Sequence, residues 1–444
     1  MSDTIVLKKG LNLPVTGAAE PVVRKSIVSR TLAVEPTCLK GFSPRLLVKE
    51  GDAVLCGSPV LADKTRPEIL MTSPVSGTVK AIVRGDKRKL LAVLIETAER
   101  QEAAEFHPGS TDAASVRNGL LESGLWLQLV QRPYGVIADP SATPKIIYLS
   151  TFGTGPLAAD SAFCLGNELG AMQAGIDALE KIAPVHIGVC EASVFAGLRA
   201  SGIHVFKGPH PAGNAGVQIS HVCPIVKGDT VWTLSPEGLA AIGKFFLRGK
   251  LDLRRRIAVT GPAAIGPAYV EALPGTPMPE FRSFWGASSQ GLRIISGDLL
   301  CGRNVGAEGC LGWRDNQVTI IREGTEREYF GWIRPLRWKQ FSTDRAYFSW
   351  LTPWRRYDMD TNLHGGKRAF LMNDAYYAKM LPMDLYPLFL VKACLAGDIE
   401  KMEKFGIYEV LPEDLALCEF VDPSKNDLQE IIAGGIDLML KEMA

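Results

Sequence analysis

The spacing closest to a cofactor ligand set lies towards the C-terminal end, in PEDLALCEFVDPSK, residues 412–425. Ferredoxin-type [4Fe–4S] sites read C-x-x-C-x-x-C-x-x-x-C-P, because four thiolates must converge on one cluster. In that frame the ligand places fall on Pro412, Leu415, Cys418 and Asp422, with Pro423 closing it. One thiolate of four remains, so this stretch alone cannot hold a cluster. The other cysteines offer no replacement: none of the nine forms a C-x-x-C pair, and the six histidines are scattered. A metal site needs several such donors at one point, and the local spacing supplies none. Two glycine-rich loops come next. TFGTGPLAAD (151–160) follows an apolar run, where a nucleotide-binding turn would sit, but has only Gly153 and Gly155 of a three-glycine fingerprint. GPHPAGNAG (208–216) lacks the Lys-Ser or Lys-Thr ending of a phosphate-cradling loop. Gly208, His210, Gly213 and Gly216 are therefore candidates for anion or partner contact, with a purely loop-fixing role for His210 equally open.

The elements that position these residues change character along the chain. From 36 to 96, short apolar runs alternate with glycine and proline, as in a small β-barrel or sandwich. VKEGDAV (48–54) and SPVSGTV (73–79) read like the two halves of a biotinyl or lipoyl carrier domain. An Asp63-Lys64 dipeptide stands between them, but off-centre: VLA precedes it, TRPEILMTSP follows, and there is no M-K-M. The motif is read as fold without the carrier's modified lysine. Residues 98–109 are charged and read as an exposed boundary. KIIYLST (145–151), GNELGAMQAGIDALEKIA (166–183), PVHIGVCE (184–191) and SVFAGLRASG (193–202) then alternate strand, helix, strand, helix, which indicates parallel βαβ units. SPEGLAAIGKFFLRG (235–249) opens a helix with a serine cap and Pro236 at its first position. In SGLWLQLVQRPYGV (123–136), Leu125, Trp126, Leu129 and Val130 have helical spacing, and Pro133 places the helix end near Arg132. Residues 257–323 look β-like again, and the end of the chain is helix-rich. Between them Trp332, Trp338, Trp350 and Trp354 lie among Arg334, Arg337, Lys339, Arg345, Arg355 and Arg356. That mixture suits either a loop pinned by its own aromatics or a partner surface. Asp344, Asp358 and Asp360 in the same segment weaken any attraction to lipid.

Composition bounds the rest. The 444 residues suffice for about three domains. With 46% hydrophobic and 22% charged residues the chain is globular, and a net charge of +1 gives nucleic acid nothing to be drawn by. MSDTIVLKKG has no apolar signal core, and the longest apolar stretches, LLAVLI (90–95) and LYPLFLVKACLAG (385–397), fall short of the ~20 residues of a membrane span. A cytosolic or peripheral chain with reduced thiols is expected.

LKKGLNLPVTG, SPVSGTV, ESGLWLQLVQRPY, FKGPHPAGNAG, RIISGDLLCG and MDLYPLFLVKACLAGDIEKMEKFG…PEDLALCEFVDPSK occur in one order. As a set they resemble the NqrA subunits of the sodium-translocating NADH:quinone reductases (Nqr complexes) of bacterial respiratory membranes. Relatives of that family, the C subunit of the Rnf complex and the flavin-bearing subunit of complex I, carry cluster cysteines that are missing here. The resemblance implies a mixed α/β multidomain chain. Its parts would be a barrel-sandwich hybrid with an N-terminal extension (1–105) and a Rossmann-like α/β domain (110–256). A β-grasp domain of the SLBB kind (257–328), then an aromatic/basic segment with a helical domain (329–444), would complete it. It implies a peripheral subunit on the cytoplasmic face of the inner membrane, soluble when expressed alone and docked chiefly on integral-membrane partners. Such an assembly oxidises NADH, passes electrons through flavins and iron centres held by other subunits, and reduces quinone while exporting Na⁺. No cofactor is expected on this chain. For a quinone contact, Trp126, Arg132 and Tyr134 are the candidates, an apolar wall beside a guanidinium and a phenol. The plainer expectation is Tyr134 against a neighbouring domain and Arg132 in a surface ion pair. The competing classes are a soluble nucleotide-binding oxidoreductase and a biotin- or lipoyl-type carrier.

Overall fold

The computed structural model describes residues 4–326, 328, 330–331, 337–343, 348–363 and 373–443. The two half-motifs of the first domain meet as antiparallel strands, Ala53–Val54 pairing with Gly77–Arg84 through Ala53↔Thr78 and Val54↔Gly77. Gly77 is required there, because a Cβ would lie 2.0 Å from the Glu96 carbonyl oxygen of the next strand. Thr31–Val34 and Leu90–Thr97 complete a four-stranded sheet, which faces a second one of Pro44–Leu46, Pro59–Asp63 and Leu70–Thr72. Lys64 is the exposed first residue of the turn between the last two strands. The buried Asp63 carboxylate closes that turn, accepting from the amides of Ser43 (2.8 Å), Thr65 (2.8 Å) and Arg66 (3.0 Å). Arg66 donates to the carbonyls of Gly41 (3.0 Å) and Ile137 (3.3 Å), fastening the turn to the second domain.

The second domain has a seven-stranded sheet in the order Ile5–Val6, Gly202–Lys207, Val185–Cys190, Ile147–Ser150, Val231–Leu234, Val130–Arg132, Val136–Ile137. The first five are mutually parallel, Val130–Arg132 is antiparallel to them, and Val136–Ile137 is antiparallel to Val130–Arg132. Helices Leu169–Leu179 and Pro236–Arg248 pack backbone to backbone at Gly175 and Gly243; a Cβ on Gly243 would meet the Ala171 carbonyl oxygen at 1.6 Å. The third domain is a six-stranded sheet in the order Arg303–Asn304, Leu292–Ser296, Gln317–Arg322, Arg255–Thr260, Ala268–Ala272, Glu20–Ser26. The N-terminal extension thus supplies one strand to each of the two later sheets. Helices Asp374–Met380, Pro387–Ala396, Ile399–Lys404, Ala416–Val421 and Leu428–Met443 follow. Their apolar faces share one core with the α/β sheet, where Leu390, Leu415 and Ile432 join Tyr148, Phe206 and Val231.

Two expected helices are absent. Residues 125–132 form a single 3₁₀ turn, Leu125–Gln128, and then the strand Val130–Arg132. Every residue from Leu125 to Leu129, the polar Gln128 included, is buried, so the helical spacing did not mark one helical face. In SVFAGLRASG only Val194–Gly197 turns, because its last residue already opens the strand Gly202–Lys207. Trp332, Arg334, Asp344, Arg345 and His364 lie outside the described residues. No helix among the described residues is long and apolar enough to cross a membrane.

Candidate functional site

Three segments singled out by sequence meet where the α/β domain joins the C-terminal helices. Arg132 ends its strand 2% exposed. Its Nη1 donates to Asp414 Oδ2 (3.0 Å) and to the Glu409 carbonyl (3.3 Å), and its Nη2 to Glu413 Oε1 (3.0 Å). Asp414, 1% exposed, also accepts from the Leu411 amide (3.0 Å). Burial alone would lower the Arg132 guanidinium; the Asp414 and Glu413 carboxylates outweigh it and hold the group raised. The expected surface pair is therefore a buried bridge between domains, since Arg132 lies under the C-terminal helices and not at a loop. Tyr134 is buried edge-on against Tyr408, with centroids 6.2 Å apart. Trp126 is elsewhere, fully buried in the α/β core with Nε1 donating to the Ala138 carbonyl (2.8 Å) and its ring against Trp232. The three candidates share no open face.

The degenerate cluster frame is tightly filled. Pro412 starts a 3₁₀ turn, Leu415 and Cys418 are core residues, and Asp422 accepts from the amides of Ser424 (3.1 Å) and Asn426 (2.9 Å). The loop at 208–216 is equally fixed. A Cβ on Gly208 would lie 2.6 Å from the Leu7 carbonyl oxygen, and one on Gly213 2.7 Å from that of Phe152. His210 is buried, with its amide donating to Asn12 Oδ1 (2.8 Å) and Nδ1 lying 3.2 Å from the Thr154 hydroxyl. Burial pushes its imidazole down to about 4, so it is neutral near pH 7.

Beside this joint lies a crevice. Strand Ile147–Ser150 has Val185–Cys190 on one side and Val231–Leu234 on the other, so the strand order reverses there. Open α/β sheets bind ligands outside the carboxyl ends of their strands at such a point. A cavity of about 350 Å³ occupies it, walled by Phe152, Gly155 and Glu237 and roofed by Asp298, Arg314 and Asp315 of the third domain. Nucleotide phosphates would sit on the helix N-termini at this edge. A carboxylate stands beside the first turn of each. Asp414 presses on the first turn of Ala215–Val222, its Oδ2 2.3 Å from where a Gly216 Cβ would be. Glu237 lies buried in the first turn of Pro236–Arg248, accepting from Asn316 Nδ2 (2.7 Å). Asp298, Asp315 and Glu413 add further negative groups, and burial pushes the Asp298 carboxyl up. The lining guanidinium of Arg314 is held on the Leu127 carbonyl (Nε, 2.9 Å) and pushed by burial down to about 10. The crevice has a nucleotide pocket's position, with four carboxylates and one guanidinium in its lining. Sequence reading missed Glu237, Glu413 and Asp414, although two of these stand inside the frame inspected for thiolates.

Residues 5–98 match the family model described as the NqrA N-terminal barrel-sandwich hybrid domain, and residues 111–251 the NqrA second alpha/beta domain. Over 96% of this chain and 97% of the relative, the sequence is 34% identical to the A subunit of the Na(+)-translocating NADH-quinone reductase of Alcanivorax borkumensis. The chain belongs to the NqrA family. Relatives of the same name from Rhodopirellula baltica (35% identical over 98% of both chains) and Pasteurella multocida (32% over 99% of this chain and 100% of the relative) agree. The first NqrA match takes in the sandwich together with the two N-terminal strands that pair with later sheets, and the second spans the α/β sheet's central strands and helices.

Proposed function

We propose that the chain is the cofactor-free peripheral subunit of a reductase that oxidises NADH, reduces quinone and exports Na⁺. Its Rossmann-like domain and SLBB-type sheet serve as scaffold, and flavins and iron centres belong to other subunits. The single observation carrying this reading is the crevice, whose lining holds the carboxylates of Glu237, Asp298, Asp315 and Glu413. A dinucleotide's phosphates would face these four carboxylates. In this reading the chain docks beside membrane subunits on the cytoplasmic face and is soluble when expressed alone. Freshly purified chain is expected to be colourless, with iron below stoichiometric amounts and no shift in NADH fluorescence on mixing. A flavin absorption band, bound iron, or tight NADH binding would reverse the reading in favour of a nucleotide-binding oxidoreductase.

A second reading adds a quinone contact at Trp126, Arg132 and Tyr134, favoured by the quinone in the relatives' names. Their burial weighs against it, since a quinone would need the joint to open. In the intact assembly, a photoreactive quinone analogue is expected to label a Tyr134→Ala chain as strongly as the unsubstituted one. Labelling that falls with this substitution, while the chain stays in the complex, would establish the contact instead.

A further inference from the structure

We infer that the basic tip of the hairpin Gly77–Arg84 and Leu90–Thr97 rests on anionic lipid headgroups, an inference that rests on the peripheral-subunit reading above and names what this chain itself offers a membrane. The outer half of the hairpin stands clear of its sheet. Thr31–Val34 pairs only with Val93–Glu96, and Ala53–Val54 only with Gly77 and Thr78. Among the described residues no third strand flanks 83–92, so the two strands project as a ribbon. Lys80, Arg84, Lys87, Arg88 and Lys89 are all exposed on it, and Asp86 is the one acid from 80 to 92. Five cations against one carboxylate stand out in a chain whose net charge is +1. Glu50, at the base of the ribbon, is turned to the Ile82 amide and accepts from it (2.9 Å).

The turn at the tip is built against its own ease of folding. Lys87 (φ 52°) and Arg88 (φ 61°) are its central residues, and the Lys89 amide donates to the Asp86 carbonyl (3.0 Å). That is a type I′ turn, in which Asn-Gly is the favoured pair because a longer side chain crowds the left-handed backbone. Cations stand at both positions where the backbone disfavours them, a mark of a functional segment. Arg84 Nη1 donates to the Arg88 carbonyl (3.2 Å) and fastens the tip. The chemistry selects the occupant. From 80 to 92 there is no aromatic residue to anchor a protein interface or to stack on a base. Val83 and Leu91, each 37% exposed, add apolar surface behind the cations. Five cations fall within the cluster of about four to eight that recruits anionic lipid. A projecting tip meets the diffuse charge of a headgroup layer without needing a complementary pocket.

The test sediments the full chain with vesicles of phosphatidylcholine, either alone or with about 30% phosphatidylglycerol, at low salt. The anionic vesicles should bind it about tenfold better or more, and the preference should vanish at about 0.5 M salt. Lys87→Asn with Arg88→Gly should weaken that binding about 25-fold, since each cation beside such a surface is worth roughly fivefold. The same pair should leave the thermal unfolding midpoint unchanged or raise it, because it suits the turn. Lys8→Asn with Lys9→Asn removes equal charge from exposed positions elsewhere and should change binding less than about twofold. Equal losses from the two pairs, or equal binding to neutral and anionic vesicles, would overturn the lipid contact while leaving the subunit reading intact. Tighter binding to a short DNA duplex than to anionic vesicles would overturn it as well. So would a tip variant that keeps its vesicle affinity yet leaves membranes carrying the assembly, which would assign the tip to an acidic polypeptide. Expected vesicle binding by a chain that fails to co-purify with the other subunits would count against the subunit reading and not against the tip.

Discussion

Replacing Arg132 by methionine is expected to cost about 3–5 kcal/mol at the joint between the α/β domain and the C-terminal helices, the usual loss when one partner of a buried ion pair is removed. The cost comes less from the lost attraction than from what stays behind. Asp414 is 1% exposed, and without the guanidinium its charge has only the Leu411 amide and the helix at Gly216 to lean on. Glu413 matters less, because its side chain is 41% exposed and solvent screens its half of the bridge. The combined change Arg132→Met with Asp414→Leu should therefore recover most of the loss, since no buried charge is left unpaired. Hydrogen exchange of the amides from 407 to 422, read through the denaturant dependence of opening, measures the joint itself rather than the whole chain. A single substitution that changes these amides by less than ~1 kcal/mol would show that the bridge does not hold the domains together.

Acidification from pH 6.5 towards 4 is expected to remove about 3 kcal/mol of stability that depends on His210, since each unit of pKa shift is worth about 1.4 kcal/mol. The folded imidazole is pushed down to about 4 by burial, against 6.5 when free. Between those values the unfolded chain binds the proton more readily than the folded one, so stability falls as pH falls. The contribution is intact above about 6.5 and fully lost below about 4. Asp414 opposes the shift by favouring the imidazolium but does not cancel it. Protonation would also leave Nε2, which has no hydrogen-bond partner among the described residues, as a buried charged donor. Other groups titrate in the same range, so the quantity to follow is the difference between the unsubstituted chain and His210→Asn. Two stability curves that run parallel from pH 7 to 4 would sink the assignment.

What sequence could and could not reveal follows the range of the interactions. The sandwich was legible because its half-motifs carry their own turn glycines, and Gly77 stands where a neighbouring strand forbids a side chain. Ser235 and Pro236 announced their helix because a cap is a local device; the Ser235 hydroxyl accepts from the Gly238 amide at 3.0 Å. The segment 125–132 misled because period and length conflict in a run whose first five residues are all buried. Arg132 and Asp414 stand 282 positions apart, and no local spacing pairs them. The pertinent signal was present in the Glu413-Asp414 dipeptide, but inspecting that stretch for thiolates conceals carboxylates that neutralise a distant guanidinium. The charge of the crevice was invisible for the same reason, since its walls come from three separate parts of the chain.

The two N-terminal strands bear on the order in which the chain can be built. Ile5–Val6 pairs with Phe206 and Lys207, and Glu20–Ser26 with Ala268–Ala272. At a synthesis rate of about 5–20 residues per second, the first strand leaves the ribosome roughly 10–40 s before its neighbour exists. The sandwich between them has all its strands within residues 31–97 and can form in the meantime. The earliest residues must therefore wait outside it and are sewn in only after residues 207 and 272 have followed. A fusion partner placed ahead of them would hinder the closing stitch more than one placed behind the last helix.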